Sequence, residues 1–362
     1  MKTKLTFLMS FILTLTLSLS TINLSAQDEE EAMEEAPQGP QVTIISGFKG
    51  GSYYQMAKDM QKMTRKLYGT PVTIPETKEV VSIENGDTVR DENGEVVMDE
   101  IEIQKPTGDT TDFMDVKDSD GSYYNFLQIN KSDVDITFLQ YDVLLYFDMK
   151  DLKRKFKKTA DIRILLPVGT EEIHLITTKD SGIETFKDLK KKRVGIGSTL
   201  QGTNITAKYI KEQTGMKWED VELPYDKAFR ALFNGDIDAF FFVGAAPISD
   251  LASLAKSMKD KIKLVSLPVN EKLKEAYGEQ VEINSTMYSW VDKPVKTYAV
   301  KAILVTSVRG QTPEQVENLR KLMQAIKDNK DKNGYFEGWK DVKFQEDPDI
   351  EFEYHPLMKE FF

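Results

Sequence analysis

The stretch Arg193 to Gly215, RVGIGSTLQGTNITAKYIKEQTG, runs from a short apolar segment through a polar glycine loop into an amphipathic helical pattern. That layout can hold an anion. The first N–H groups of a helix have no backbone partner, and the helix dipole places about half a positive charge at that end, so a carboxylate or phosphate docks there without Lys or Arg. Within the loop Gln201, Thr203 and Asn204 offer side-chain hydrogen bonds, and Gly202 lets a ligand approach the backbone closely. An ordinary capped strand-to-helix turn is the rival reading of the same residues. A second stretch, VTIISGFKGGSYYQMAKDMQKM, Val42 to Met63, has the same layout. There Ser52 opens the helix and offers a hydroxyl, while Tyr53 and Tyr54 either wall the apolar part of a ligand or pack between lobes. Two such loops facing one another form a cleft. Neither carries the glycine spacing of a dinucleotide site or the Gly-Lys-Ser/Thr of a P-loop.

Gln140 and Asp142 follow the strand VDITFLQ at its carboxyl end, where ligands sit in open α/β sheets. Gln140 reads as the ligand contact and Asp142 as a helix cap. The only histidines, His174 in an apolar run and His355 near the end, have no metal-ligand spacing and support no Ser, His and acid set. Asp236 and Asp238 in NGDIDAFFF stand where a cap and a strand entry put them. No cofactor or metal is called for.

The elements that position these loops alternate. Strands at Val42 to Ser46, Val134 to Leu139, Ile162 to Pro167, Ile173 to Thr177, Ala239 to Val243, Ile262 to Leu267 and Tyr298 to Ser307 are interleaved with helices. The helices start at Ser52, Ser122, Met149 (to Lys158), Lys227 (to Asn234), Ile248 (to Met258) and Thr312. This pattern predicts doubly wound parallel sheets. Pro71 to Asp99, with turn signals at Asn85-Gly86 and Asn93-Gly94, reads as an inserted surface hairpin, after which the α/β pattern resumes at Ile101.

The first residues have the basic start, apolar middle and Leu24-Ser25-Ala26 exit of a cleaved signal peptide, residues 1–26, which predicts an exported, periplasmic protein. Residues 27–40 form an acidic leader with little to bury. The chain has 362 residues and no cysteine, so stability rests on packed cores and no thiol is available for chemistry or for a lipid anchor. Net charge is −11, which argues against a nucleic-acid partner.

In order and spacing, the segments GFKGGSYYQMA, DVDITFLQYDV, TEEIHLITTKDSGIETFKDLKKKRVGIGSTLQGTNITAKYI, NGDIDAFFFVGAAPISDLA and TYAVKAILVTS resemble the TAXI-type solute receptors of TRAP transporters. The resemblance implies two doubly wound α/β lobes joined by a hinge, as in type II periplasmic binding proteins. Lobe one would take residues 41–179 and 301–362, with the hairpin 71–99 inserted, and lobe two residues 180–300. It further implies a monomer that closes on a small carboxylate or amino acid and passes it to a TRAP-type membrane permease, with no catalysis. Ser52, Tyr53, Gln140, Gly202, Thr203 and Asn204 are the residues it carries over. Where the family's second loop has small residues, Leu200 and Gln201 stand here, which leaves the cargo open. A sensory or interaction subunit and an exported hydrolase using a carboxylate pair are the alternatives.

Overall fold

The alternating pattern folds, in a computed structural model that describes residues 39–84, 87–152 and 157–362, into an α/β chain around one nine-stranded mixed sheet. The signal peptide, residues 27–38 of the acidic leader, the Asn85-Gly86 turn and residues 153–156 of the expected basic helix lie outside the described residues.

The chain enters the sheet at β1 (Val42–Ile45) and crosses the first glycine loop into α1 (Ser52–Tyr68). Met56, Met60 and Met63 recur at helical spacing on its buried face, and Arg65 and Lys66 complement the dipole in its last turn. The chain then leaves the body as a ribbon. Strand β2 (Pro71–Val81) runs out, β3 (Ile83–Glu84) and β4 (Asp87–Thr88) pair near the tip, and β5 (Met98–Thr110) runs back antiparallel to β2. The hairpin therefore extends to Thr110, beyond the expected 71–99. Ile101 to Gln104, expected to rejoin the body, instead pairs with Pro75 to Lys78. Charges on both faces of these strands leave nothing to bury, and most of their residues are exposed.

Strand β6 (Met114–Lys117) returns to the sheet, followed by α2 (Ser122–Lys131), β7 (Ile136–Gln140) and α3 (Tyr141–Asp151). β6 and β7 flank β1 in parallel. All five residues of β7 are buried, as a strand covered on both faces requires. The helix expected from Met149 begins at Tyr141, because Tyr141 to Leu144, which pack inward, give it no simple amphipathic period.

Next comes β8 (Ile162–Thr178), one strand where two were expected. After it the chain forms β9 (Arg193–Gly195), α4 (Gly202–Thr214), β10 (Glu219–Val221), α5 (Tyr225–Asn234), β11 (Ala239–Gly244), α6 (Ser249–Ala252), α7 (Lys256–Lys259) and β12 (Ile262–Leu264). The single helix expected over Ile248 to Met258 is thus two short ones. Helix α8 (Glu271–Tyr277) and the hairpin β13 (Val281–Ile283) to β14 (Val295–Thr297) lead to β15 (Ala299–Ser307) and α9 (Pro313–Asn329). Thr312 and Gln315 close a capping box on α9, with Pro313 at its first turn.

The strand order is β10-β9-β11-β8-β15-β7-β1-β6, with β12 pairing the far end of β8. Two parallel triplets, β6-β1-β7 and β10-β9-β11, are joined by β8 and β15, which run antiparallel to each other and to the strands beside them. The α/β pattern is as expected, and these two long strands add antiparallel pairing between the parallel triplets. Helices cover both faces. In the first half α1 and α9 with Trp339 pack on one face, and α2 and α3 on the other. In the second half Phe241 faces the cluster containing α4 and α8, and its neighbour Phe240 faces α5, as the alternation of side chains along a strand requires.

The ribbon's two ends meet where Thr111 donates its N–H to the Thr70 carbonyl at 2.8 Å. Excising residues 72–109 and closing the gap with a two-residue turn is expected to shift Tm by less than about 2 °C, since mainly exposed surface is lost. A thermal melt of the shortened chain checks this; a drop of ten degrees would mean that the ribbon supports the body.

Candidate functional site

The carboxyl ends of the parallel strands from both halves converge on one small cavity of about 80 Å³. The β1 loop contributes Gly47, Phe48, Ser52 and Tyr53, and the β6 loop Asp120 to Ser122. β7 ends there in Gln140, and the β9 loop contributes Gln201, Gly202 and Thr203. Six sequence-predicted residues, Ser52, Tyr53, Gln140, Gln201, Gly202 and Thr203, thus stand around one space. Tyr54 and Asn204 are not in its lining. Tyr54 is partly buried, and Asn204 is fully buried, its amide directed at the Gly197 carbonyl and Glu222. The two halves touch here: Tyr124 donates its N–H to the Leu200 carbonyl at 3.0 Å. Gly121, at φ 136°, sits so close that a Cβ would lie 3.2 Å from Gln201 Cα, so glycine serves both the backbone angle and the approach.

Four helices, α1, α2, α3 and α4, begin at this cavity, and none has a side-chain cap on its first turn. Their dipoles add positive potential. The group that answers it is one that sequence reasoning missed, Glu171. It lies on β8, is only 8 % exposed, and accepts hydrogen bonds on Oε2 from Tyr53 OH at 3.0 Å and from Gln140 Nε2 at 2.9 Å. Tyr53 is held in turn by stacking on Phe138, ring centroids 5.1 Å apart. The backbone of Gln140 donates to Ser122 Oγ at 3.1 Å. With Nε2 committed to Glu171, Gln140 Oε1 has no partner, although the residue is 5 % exposed. It lies over Gly202, where a Cβ would be 1.9 Å away. The close approach expected of a ligand at Gly202 is made by Gln140 itself.

Burial pushes the Glu171 carboxyl up to about 7, beyond what the two donors restore, and the like charges Asp142 and Glu172 push the same way. The Tyr53 phenol is raised well above its ordinary range by burial and by Glu171. Asp142, expected as a cap, sits fully buried on α3 and accepts from Thr206 Oγ1 at 2.6 Å on α4 and from Tyr277 OH at 3.0 Å on α8. It therefore ties the first half to the second, with its own carboxyl pushed to about 6 by burial.

Both histidines are structural. His174 donates Nδ1–H to the Glu172 carbonyl at 2.9 Å, and its Nε2 accepts from Tyr288 OH, whose oxygen takes the Ile248 N–H. Burial lowers its pKa to about 4, so the ring is neutral. His355 Nε2–H donates to Gln311 Oε1, and its Nδ1 accepts the Leu357 N–H. Asp238 accepts from the backbone and guanidinium of Arg193, as a strand-entry residue would. Among the described residues no group of three or more His, Asp or Glu is placed to hold a metal ion, and no helix is long and apolar enough to cross a membrane.

The sign of the pH dependence follows from the raised carboxyls. Between the unfolded value of 4.5 and about 7 the folded chain holds more of the Glu171 proton than the unfolded chain does, so stability falls as pH rises through that window. Asp142 adds the same trend from 3.8 to about 6. Tm is expected to fall from pH 5 to pH 8. Glu171→Gln keeps an acceptor for both donors, and is expected to match the native protein at pH 4 and exceed it by on the order of 3 kcal/mol at pH 8. Denaturant melts of both proteins at the two pH values decide this. Gly202→Ala is expected to cost about 1–3 kcal/mol in the same melts by driving Gln140 off Glu171.

Residues 97–339 match the model of the NMT1-like family. Among solved structures the chain is similar to an arginine third transport system periplasmic binding protein from Legionella pneumophila, at 14% identity over 84% of this chain and 99% of that one, with a TM-score of 0.42. It is similar also to a structure described as a periplasmic transporter, at 13% identity over 81% and 85% of the two chains and a TM-score of 0.42. A third is a putative periplasmic sulfonate-binding protein of a sulfonate ABC transporter from Methylobacillus flagellatus KT, at 11% identity over 79% and 68%, TM-score 0.39. With most of its length matched by one family model, the chain belongs to the NMT1-like family.

Proposed function

We propose that this chain is a periplasmic solute-binding protein that closes on one small amino acid or carboxylate between its two halves and delivers it, as a monomer, to a membrane permease of the TRAP type. The observation that carries the reading is the composition of the cavity, to which strand ends and helix N-termini of both halves contribute. A solute touching both walls favours the closed arrangement by the difference in its affinity for the two states. The halves are 41–179 with 301–362, and 180–300, and β8 and β15 are the strands that pass between them. At about 80 Å³ the space is far below the 300–1,000 Å³ of a typical small-molecule pocket, so opening must precede entry.

In this reading the amides of Gly202 and Thr203 receive the solute's carboxylate, the Thr203 hydroxyl donates to it, and Ser52 and Tyr53 complete the site. Thr203 Oγ1 already accepts the Val243 N–H at 3.2 Å, which leaves its own proton free for the solute. No bond is made or broken. The TRAP assignment rests on the order of sequence motifs.

Ligand binding raises the unfolding free energy by RT ln(1 + [L]/Kd), about 2.7 kcal/mol at a hundred times Kd. The bound solute is expected to raise Tm by roughly 5–10 °C. A thermal-shift screen of amino acids and C4 to C5 dicarboxylates, with chromatography of the recovered solute, tests this. Recovery of a hydrolysed product would replace binding with catalysis.

A further inference from the structure

We propose that Glu171 is the specificity-determining residue of the cleft and that the cleft selects solutes bearing a protonated amine beside a carboxylate, the zwitterion of an α-amino acid, against dicarboxylates of the same length. This rests on the solute-binding reading and narrows it.

Three observations carry it. The first is unused acceptor capacity. Glu171 spends only Oε2 on the described residues; Oε1 accepts no hydrogen bond from them, and the residue borders the cavity. Gln140 Oε1, on a residue 95 % buried, is also without a partner among the described residues and lies over Gly202. The oxygen that Glu171 leaves without a donor suits an ammonium group, which brings three N–H donors and a positive charge.

The second is the absence of a competing cation. Among the described residues no Lys, Arg or His borders the cavity. Lys301 is next along β15 from Val300, the partner of Glu171, but Asp347 holds it at 2.5 Å and Asp349 at 3.2 Å. The ionisable groups that act on Glu171 are Tyr53, Gln140's neighbour Asp142, and Glu172, none of them cationic. A buried carboxylate in such surroundings is costly until a cation reaches it.

The third is polarity across the cavity. The first amides of α4, at Gly202 and Thr203, have no side-chain cap and line the same cavity as Glu171. The amides take a carboxylate and Glu171 an ammonium. A dicarboxylate would satisfy the first and set its second charge against Glu171.

Calorimetric titration of the full chain at pH 8 with matched probes tests the assignment: L-glutamate and L-glutamine, the same-length glutarate and 2-oxoglutarate, and the remaining standard amino acids. At least one amino acid is expected to bind a hundredfold or more tighter than either dicarboxylate. Glu171→Gln, whose folding is checked by its melt, is expected to lose most of that preference. Binding of glutarate or 2-oxoglutarate as tight as that of the best amino acid overturns the role of Glu171 and leaves solute binding standing. An unchanged preference in Glu171→Gln does the same. If no probe of either kind binds, the solute-binding reading falls and this inference with it.

Discussion

A charged side chain buried inside a continuous sheet constrains everything around it. Glu171 lies on β8, the strand that pairs with β15 on one side and, farther along, with β11 and β12. A carboxylate there needs donors, and they come from α1, through Tyr53, and from the end of β7, through Gln140. Those donors must themselves be fixed, by stacking on Phe138 and by Ser122. Tyr53 follows the first glycine loop and Gln140 ends β7, where helix starts from both halves share one small space. Gly202 and Gly121 are small for the same reason: Gln140 and the Gln201 backbone occupy the volume their side chains would need.

Two of the buried carboxyls, Asp142 and Glu171, divide the work. Asp142 joins α3 to α4 and α8 through hydroxyls, a contact between halves that involves no solute. Glu171 stands at the cavity itself and keeps one oxygen free. One group therefore ties helices of the two halves together, and the other borders the cavity between them. Both cost stability when ionised without a cation, as expected where function is favoured over the strength of the apo fold.

Much of this was legible in the sequence. The two glycine loops, the strand end at Gln140 and the helices from Ser52, Ser122 and Thr312 are found where apolar periodicity and turn chemistry place them. What was hidden has physical causes. Pro167, Gly169 and the pair Glu171-Glu172 look like a break between two strands, yet the chain stays extended through them as one strand, and a loop-like charge is thereby placed in the interior. β10 and α8, at three and seven residues, are too short to show a period. The return of the ribbon through Ile101 to Gln104 has the alternation of a body strand, but its partners are the equally charged residues of β2. Tyr54 and Asn204 share loops with true cavity residues, and a loop's composition does not say which of its side chains turn inward.

The place of β15 in the sheet bears on how the chain is made. β15 sits between β7 and β8, yet it comes after the whole second half in sequence. During synthesis β7 and β8 emerge early with their inner edges unpaired, and they remain so until Ala299 to Ser307 has been made. Such a topology folds slowly, because its central pairing spans a long stretch of chain. Open strand edges in the meantime invite association with other chains. A product truncated before β15 would lack the strand that closes the middle of the sheet.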